Sequence, residues 1–399
     1  MTHPLLDLPP LTATRFAEIE RRVARLLRTE QDVVIMQGEA LLPLEACIRS
    51  GARPDSTALN IVTGPYGQTF GNWLRDCGAH VVDLTVPFHT AVTARQVEQA
   101  LAEHPEIDFV SLVHAEAATG NTNPVAEIGK VVRAHGALFM VDAVASVAAE
   151  PLLVDAWGVD LCVIGAQKAM GGPAGVSAVS VSERAWQRFA ENPRAPRRSY
   201  LSLLDWKERW IDGGRRVLPH APAQLEMLAL EACVERIEEA GLDTVTTRHA
   251  RAAEATRAGT LALSGAASSA RADGQSDGQS DGHSGGQGRT QSGGGLQPYV
   301  HDAADAAPVA TTLRVPAGTD ASALVARALA ADPTLPVVAG GGALAQEMIR
   351  VNHYGADATV DVVHATLAAL GAALVEEAGA TVDLAAARRA VTAVWPQSE

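Results

Sequence analysis

The stretch FMVDAVASVAAEPLLVDAWGVDLCVIGAQKAMGGPAGVSAVSVSERAW, residues 139–186, decides the fold class. Three short apolar runs cross it: ALFMVD (137–142), DLCVIG (160–165) and VSAVSV (176–181). Such runs are typical of strands that are buried on both faces, as in a parallel sheet covered by helices. Asp142 closes the first run and Lys168 follows the second. Because ligands of open parallel sheets bind beyond the carboxyl ends of the strands, we expect this carboxylate and this amine to meet one ligand.

Four further apolar runs precede this stretch: DVVIMQ (32–37), TALNIVT (57–63), HVVDL (80–84) and IDFVSLVH (107–114). Between the runs, segments such as TARQVEQALAEH (93–104) and PVAEIGKVVRAHG (124–136) have the spacing of amphipathic helices. The second of these segments begins with Pro and stops at Gly, as helices commonly do. The sequence therefore predicts an α/β fold with a mostly parallel sheet of seven strands.

The length of 399 residues predicts two domains, because a single compact core seldom grows so large. We place a large domain at residues 1–240 and a small C-terminal α+β domain at residues 241–399. The small domain contains SGAASSARADGQSDGQSDGHSGGQGRTQSGGGLQ (264–297), which is rich in Gly, Ser, Gln and Asp and has almost nothing to bury. We interpret this segment as a disordered insertion.

Charge and composition argue against several classes of function. A formal net charge of -14 and a pI near 5.3 disfavour binding to a phosphate backbone. The four cysteines are far apart in the sequence, and their spacing matches neither a disulfide framework nor a metal site. The N-terminus lacks a signal-peptide pattern, and no apolar run reaches the roughly 18 residues that a membrane span needs. We therefore expect a cytoplasmic protein without nucleic-acid, membrane or metal partners.

Asp142 and Lys168 together predict pyridoxal chemistry. The amine forms an imine with the aldehyde of pyridoxal, and the carboxylate keeps the pyridine nitrogen protonated so that the ring accepts electrons. Either residue alone is more often a cap or a solvated charge. The prediction therefore depends on the motifs around them.

Four motifs follow one another along the chain: HAEAATGNTNP (114–124), VDAV (141–144), QKAMGGPAG (167–175) and VSERAW (181–186). Through them the sequence resembles the class V aminotransferases of fold type I, a group that includes alanine–glyoxylate and serine–pyruvate aminotransferases. The resemblance covers nearly the whole chain apart from the insertion. It implies a large pyridoxal-binding domain, a homodimer, and amine and 2-oxo acid substrates. The implied cofactor is pyridoxal 5'-phosphate, or unphosphorylated pyridoxal or pyridoxamine bound as a substrate.

The resemblance also implies roles for residues around the ring. Lys168 is the lysine that forms the Schiff base, and Asp142 is the partner of the pyridine nitrogen. Tyr66 in GPYGQTFGN (64–72) would stack on the ring, with a plain core aromatic as the alternative. Thr119 would contact the ring hydroxyl region, and Gln167 lies beside the lysine near the cofactor.

Arg350 in MIRVNHYG (348–355) matches the arginine that binds the substrate carboxylate in the family. A planar guanidinium fork suits a carboxylate. A surface ion pair is the alternative for this residue.

The chain departs from most relatives at the loop that holds the cofactor phosphate. MQGEALLPLEA (36–46) replaces a small polar loop, so that Gly38, Glu39 and Ala40 occupy the cofactor-binding positions. Glu39 would repel a phosphate dianion. Ala221 stands where the family has a Thr that reaches the phosphate of the other subunit. One branch of the family, the pyridoxamine–pyruvate aminotransferases, has a similar Gly-Glu segment and takes unphosphorylated pyridoxamine as a substrate.

We therefore predict an aminotransferase of that type, which moves an amino group between unphosphorylated pyridoxamine and a small 2-oxo acid such as pyruvate. In the alternative, Glu39 faces solvent and phosphate binds through the backbone amides of Gly38 and Ala40. The chain would then be a pyridoxal 5'-phosphate-dependent alanine– or serine–glyoxylate or pyruvate aminotransferase.

Two departures from the branch leave the 2-oxo acid open. Where the branch has an arginine in a glycine-rich loop, this chain has Gly340, Gly341 and Gly342. The sequence also begins near the first helix, without the Gly-Pro strand that precedes it in the family.

Two other functions fit the sequence less well. A cysteine desulfurase needs a nucleophilic cysteine in its C-terminal part, whereas no cysteine follows Cys233. A pyridoxal-sensing protein without turnover would not need Lys168, Asp142 and Arg350 together.

Overall fold

The computed structural model describes residues 8–264 and 295–396. Most of the insertion predicted at residues 264–297 lies outside the described residues. The chain forms two compact units. The first comprises Met1–Ala250, Val300–Ala310 and His353–Ala356, and the second comprises Arg251–Tyr299, Thr311–Asn352 and Asp357–Glu399. The predicted division at residues 240 and 241 gave two continuous pieces, whereas each unit is assembled from three segments of chain.

The first unit is built around a seven-stranded sheet and a two-stranded hairpin. The strands are β1 (Asp32–Gln37), β2 (Thr57–Val62), β3 (His80–Thr85), β4 (Ile107–Val113), β5 (Ala115–Glu116), β6 (Asn121–Thr122), β7 (Leu138–Asp142), β8 (Leu161–Gly165) and β9 (Val176–Val181). The helices are α1 (Ala13–Leu26), α2 (Leu41–Gly51), α3 (Pro65–Asp76), α4 (Ala94–Glu103), α5 (Val125–His135), α6 (Val154–Trp157), α7 (Glu183–Glu191), α8 (Leu203–Trp206), α9 (Gln224–Ala240) and α10 (Leu242–Leu263). Within α10 the chain passes from the first unit into the second. A π-helical turn, Lys207–Ile211, follows α8.

The large sheet has the strand order β1-β9-β8-β7-β4-β2-β3. Only β9 runs antiparallel to its neighbours, β1 and β8, and the remaining pairs are parallel. Every residue of β7, β8 and β9 is buried, as expected for strands covered on both faces. The predicted α/β class and the mostly parallel seven-stranded sheet are therefore confirmed.

Two helix ends follow from local sequence. At the start of α4, Thr93 accepts the N–H of Gln96 while the Gln96 side chain accepts the N–H of Thr93, which forms a capping box. At the end of α5, Gly136 adopts a left-handed φ of 95°, which suits glycine. This ending agrees with the stop that the sequence predicted at that glycine.

The second unit is an α+β unit with a four-stranded sheet in the order β10-β11-β13-β12. Its strands are β10 (Gln297–Pro298), β11 (Ala310–Arg314), β12 (Val337–Ala339) and β13 (Met348–Asn352). Its helices after α10 are α11 (Ala321–Ala331), α12 (Val360–Ala378) and α13 (Leu384–Val394). Across residues 8–264 and 295–396, no helix combines the length and the apolar character that crossing a membrane requires.

Candidate active site

Asp142 and Lys168 lie at one edge of the large sheet. Asp142 is the last residue of β7, and Lys168 follows the end of β8 by three residues. These two strands are parallel neighbours, with Asp142 opposite Val163, so their carboxyl ends meet. A turn holds the chain after β8, in which the N–H of Gly172 donates to the carbonyl of Ala166 at 2.7 Å.

Lys168 differs from the two other lysines of the sequence in its surroundings. Lys130 is exposed on α5, and Lys207 forms ion pairs with Asp32 at 3.0 Å and Asp212 at 3.2 Å. Lys168 is half-buried, and its Nζ lies 5.2 Å from the centroid of the Tyr66 ring. Lys207 is also half-buried and its Nζ lies 5.6 Å from the centroid of the Trp186 ring, so the position beyond the carboxyl end of β8 is what distinguishes Lys168.

Asp142 is a buried carboxylate in a setting that a cationic partner would stabilise. Its side chain is 5% exposed, and its Oδ1 accepts the N–H of Val144 at 2.9 Å. Burial raises the pKa of Asp142, while the charge of Lys168 and the amide of Val144 act in the opposite direction. A protonated ring nitrogen would act on this carboxylate as Lys168 does.

Tyr66 lies in the first turn of α3, directly after Pro65. Its ring is half-buried, and burial raises the pKa of its phenol, with Asp142, Glu116 and Glu39 adding to the rise. The phenol is therefore protonated at neutral pH. The amine of Lys168 lies over the face of this ring, in the arrangement of a cation–π contact.

Glu116 is a residue of the site for which the sequence assigned no role. It is fully buried beneath the first turn of α3, and its Oε1 accepts the N–H of Gly67 at 3.3 Å. Burial raises the pKa of Glu116 to about 8, and the nearby charge of Asp142 adds to the effect. The signal was present in the motif HAEAATGNTNP (114–124), which contains this carboxyl.

Thr119 lies in the turn of the hairpin formed by β5 and β6. It is fully buried, and its hydroxyl donates to Oδ1 of Asn121 at 2.6 Å. The amide of Asn121 donates in turn to the carbonyls of Thr63 and Thr90. The predicted contact between Thr119 and the ring hydroxyl stays a prediction.

The turn between β1 and α2 contains Gly38, Glu39 and Ala40. Gly38 has a φ of 152°, and its N–H donates to the carbonyl of Gly175 at 2.9 Å. The amide of Gly38 is therefore already hydrogen-bonded within the protein. The alternative function, in which phosphate binds through the amides of Gly38 and Ala40, loses one of its two donors. Ala40 is buried and is the N-cap residue of α2, where it provides no side-chain hydrogen bond.

Glu39 provides the negative charge at the start of α2. One oxygen of its carboxylate accepts the N–H of Leu41 at 2.9 Å, and the other accepts the side-chain amide of Gln167 at 3.1 Å. The side chain of Glu39 is exposed. Glu39 thus links the first turn of α2 to the residue that precedes Lys168. Ala221 is exposed, and its carbonyl accepts the side-chain amide of Gln37 at the end of β1.

Arg350 belongs to the second unit. It lies in β13, where it is half-buried and pairs in register with Val338 of β12. The glycine-rich segment Gly340–Gly342 follows β12, and the N–H of Gly340 donates to the carbonyl of Met348 at 2.7 Å. The first unit thus brings Lys168, Asp142, Tyr66, Glu39 and Gln167 together, whereas the role of Arg350 toward a substrate stays a prediction.

Comparison with known proteins identifies the family of the chain. The sequence model of the class V aminotransferases matches residues 11–275, so the chain belongs to the class V aminotransferase family. The chain is 31% identical to pyridoxamine–pyruvate transaminase of Mesorhizobium japonicum over 93% of its own length and 86% of that protein. It is 24% identical to alanine–glyoxylate aminotransferase of Drosophila melanogaster over 94% of its length and 88% of that protein.

A solved structure resembles the whole fold. The crystal structure of pyridoxamine–pyruvate aminotransferase from Mesorhizobium loti superposes with a TM-score of 0.83 at 30% identity, covering 97% of this chain and 91% of that chain. The chain is thus a transaminase of fold type I that works with a pyridoxal or pyridoxamine compound and acts on amine and 2-oxo acid substrates. The predicted family, fold type and enzyme class are confirmed.

Proposed function

We propose that this transaminase is of the pyridoxamine–pyruvate type and moves an amino group between unphosphorylated pyridoxamine and a small 2-oxo acid such as pyruvate. The observation that carries the proposal is the position of the Glu39 carboxylate on the first turn of α2. The N-terminus of a helix is a common place for a phosphate, because its free amides and its dipole favour negative charge. Here a carboxylate of the chain itself accepts one of those amides.

Glu39 distinguishes between a phosphate and a hydroxyl. A phosphate dianion at the start of α2 would meet a like charge, whereas the 5'-hydroxyl of pyridoxamine can donate a hydrogen bond to the same carboxylate. Two further features point the same way: the amide of Gly38 is used by Gly175, and Ala221 offers no hydroxyl. Together these features weaken a phosphate site without closing the site to the ring.

The residues of the sheet edge suit the pyridoxal group. When bound, pyridoxal supplies an aldehyde carbon and a ring that accepts electrons. We assign Lys168 as the amine that attaches to this group and moves a proton at the substrate carbon. Asp142 holds the proton on the ring nitrogen, and Tyr66 lies against the ring face. Thr119 is assigned to the ring hydroxyl region, and Gln167 holds Glu39.

Arg350 is assigned to the carboxylate of the 2-oxo acid. Gly340, Gly341 and Gly342 provide no second guanidinium, so a small monocarboxylate is the substrate that this set of residues suits. We also propose a homodimer, as membership of the class V aminotransferase family suggests. Light scattering tests it, with twice 41.6 kDa expected and an active monomer as the contrary result. The proposed location is the cytoplasm.

A second function is favoured by the exposure of Glu39. An exposed carboxylate can turn toward solvent, and the chain would then bind pyridoxal 5'-phosphate as an alanine– or serine–glyoxylate or pyruvate aminotransferase. The similarity to an alanine–glyoxylate aminotransferase supports this candidate.

The test of the proposed chemistry replaces lysines one at a time. Lys168→Ala is expected to lose transfer of the amino group from pyridoxamine to pyruvate by more than about 1000-fold, because the reacting amine is gone. Lys130→Ala is the matched control, since Lys130 is exposed on α5, and it is expected to keep full activity. Alanine formation is the measurement. Full activity of Lys168→Ala would contradict the assignment.

A further inference from the structure

The helix that carries Tyr66 begins without a cap of its own. Gly64, the N-cap residue of α3, makes no side-chain hydrogen bond to the first turn. Helices usually satisfy a first-turn amide with a Ser, Thr, Asp or Asn at this position. Because Pro65 has no N–H, the first amides of α3 that need an acceptor are those of Tyr66 and Gly67.

Glu116 supplies this acceptor from β5. Its Oε1 accepts the N–H of Gly67 at 3.3 Å, and the amide of Tyr66 also lowers the pKa of this carboxyl. A Cβ added to Gly64 would lie 2.3 Å from the carboxyl carbon of Glu116. The Glu116 carboxyl thus occupies the space that a capping side chain at residue 64 would need. A cap from Glu116 and a cap from residue 64 therefore exclude each other.

Placing a carboxyl here is costly. Glu116 is fully buried, and among the described residues its Oε2 has no hydrogen-bond partner. Burying a polar group without full hydrogen bonding destabilises a fold. A serine at position 64 would cap α3 at lower cost, because the φ of Gly64, -177°, is open to any residue. The position of the carboxyl therefore calls for a reason beyond capping.

Tyr66 provides that reason. It is one of the two residues whose amides face Glu116, and its ring centroid lies 5.2 Å from Nζ of Lys168. We propose that Glu116 is a positioning residue that caps α3 from β5 and thereby fixes the Tyr66 ring beside Lys168. This inference rests on the proposed function, since it assumes that Tyr66 lies against the bound ring.

A double-mutant cycle tests the link between Glu116 and Tyr66. The dissociation constant for pyridoxal is measured by absorbance titration of the wild type, Glu116→Ala, Tyr66→Ala and the double variant. Glu116→Ala is expected to weaken binding by roughly 5- to 30-fold, the range that follows from losing a helix cap. Because Glu116 acts through Tyr66, the double variant is expected to bind no more weakly than Tyr66→Ala alone. Additive losses would overturn the inference.

Two rescues separate positioning from general damage. Glu116→Gln keeps an acceptor oxygen at the same place, so it is expected to bind pyridoxal within about threefold of the wild type. Gly64→Ser in the Glu116→Ala background restores a local cap in the vacated space, and partial recovery of binding is expected. A loss in Glu116→Gln as large as that in Glu116→Ala would contradict the inference. If Glu116→Ala does not fold, Glu116→Asp replaces it, since its shorter side chain withdraws the acceptor.

Glu150 offers a matched control. It is a half-buried glutamate of the first unit whose carboxyl accepts the hydroxyl of Thr122, and among the described residues it has no hydrogen bond with α3. Glu150→Ala is expected to add its effect to that of Tyr66→Ala, and the same coupling for both glutamates would overturn the inference. If wild-type protein binds neither pyridoxal nor its phosphate, the proposed function fails. If it binds and the Glu116 cycle is additive, the inference alone fails.

Discussion

In the proposed function, the choice between phosphorylated and unphosphorylated substrate depends on one residue, Glu39. Its carboxylate accepts the N–H of Leu41 and the side-chain amide of Gln167. We expect Glu39→Ser to shift the preference from pyridoxal toward pyridoxal 5'-phosphate by roughly 5- to 150-fold, because one repulsion of about 1 to 3 kcal/mol is removed. The ratio of the two dissociation constants is the measurement. Glu39→Gln is the control, since it removes the charge and keeps the side-chain length. If the ratio of the two dissociation constants is unchanged in both variants, the charge of Glu39 does not determine the preference.

The raised pKa of Glu116 predicts that the stability of the fold depends on pH. Burial raises its pKa from 4.5 to about 8, so between these values the folded protein holds a proton that the unfolded chain has released. The contribution of Glu116 to the free energy of unfolding is therefore present below about pH 4.5 and is lost as the pH rises through about 8. Without pyridoxal, Glu116→Gln is expected to gain stability relative to the wild type over this window, on the order of 3 kcal/mol.

Denaturant unfolding at pH 5 and at pH 8.5 measures this difference. His114 acts in the opposite sense, because burial lowers its pKa to about 4 and the folded state gains stability as the pH rises from about 4 to 6.5. His114 is present in both proteins, so its effect cancels in the comparison. A constant difference between wild type and Glu116→Gln across the window would contradict the raised pKa.

At the level of single residues, sequence could place Asp142 and Lys168 at one edge of the sheet, but it could not predict the contacts around them. Lys168 and Asp142 were identifiable because each ends or follows an apolar run and each lies in a motif. The contact between Glu116 and Gly67 was not predictable, because it joins residues 49 positions apart. Glu39 was identifiable as a charge, but its bond to Gln167 joins residues 128 apart.

At the level of elements, apolar runs predicted the strands well. β1 and β9 have the same bounds as the apolar runs that predicted them. The other five strands of the large sheet differ from their runs by one residue at one end. The runs are reliable because strands that are buried on both faces tolerate few polar residues. The antiparallel direction of β9 had no such signal, since the composition of a strand does not record its direction.

The segment His353–Ala356 supports the turn that carries Lys168. The N–H of Gly355 donates to the carbonyl of Ala169 at 3.2 Å, and a Cβ added to Gly355 would lie 2.5 Å from Cα of Gly171. Gly355→Ala is therefore expected to displace the turn and to lower kcat/KM by roughly 10- to 100-fold. Steady-state kinetics on folded protein is the measurement.

Gly136→Ala is the matched control for that substitution. Gly136 also has a positive φ, 95°, but no atom lies within 4 Å of an added Cβ. We expect it to cost roughly 1 kcal/mol of stability through backbone strain and to leave activity unchanged. Equal losses of activity in both variants would mean that strain alone, rather than contact with the Lys168 turn, is responsible.

At the level of the whole molecule, the two units are interleaved in sequence. His353–Ala356 and Val300–Ala310 return to the first unit after the chain has entered the second. Length and composition predicted two domains but placed one boundary between residues 240 and 241, because local patterns carry no record of a chain that returns. Arg350 therefore lies only three residues before a segment of the other unit.

The central claim is that this class V aminotransferase uses unphosphorylated pyridoxamine as its amino donor. The most direct measurement compares kcat/KM for pyridoxamine and for pyridoxamine 5'-phosphate with pyruvate as acceptor, following the alanine formed. We predict that the unphosphorylated amine is preferred by at least roughly tenfold, because Glu39 repels the phosphate. Absence of turnover with pyridoxamine, together with tight binding of pyridoxal 5'-phosphate and transfer between amino acids and glyoxylate or pyruvate, would contradict the claim.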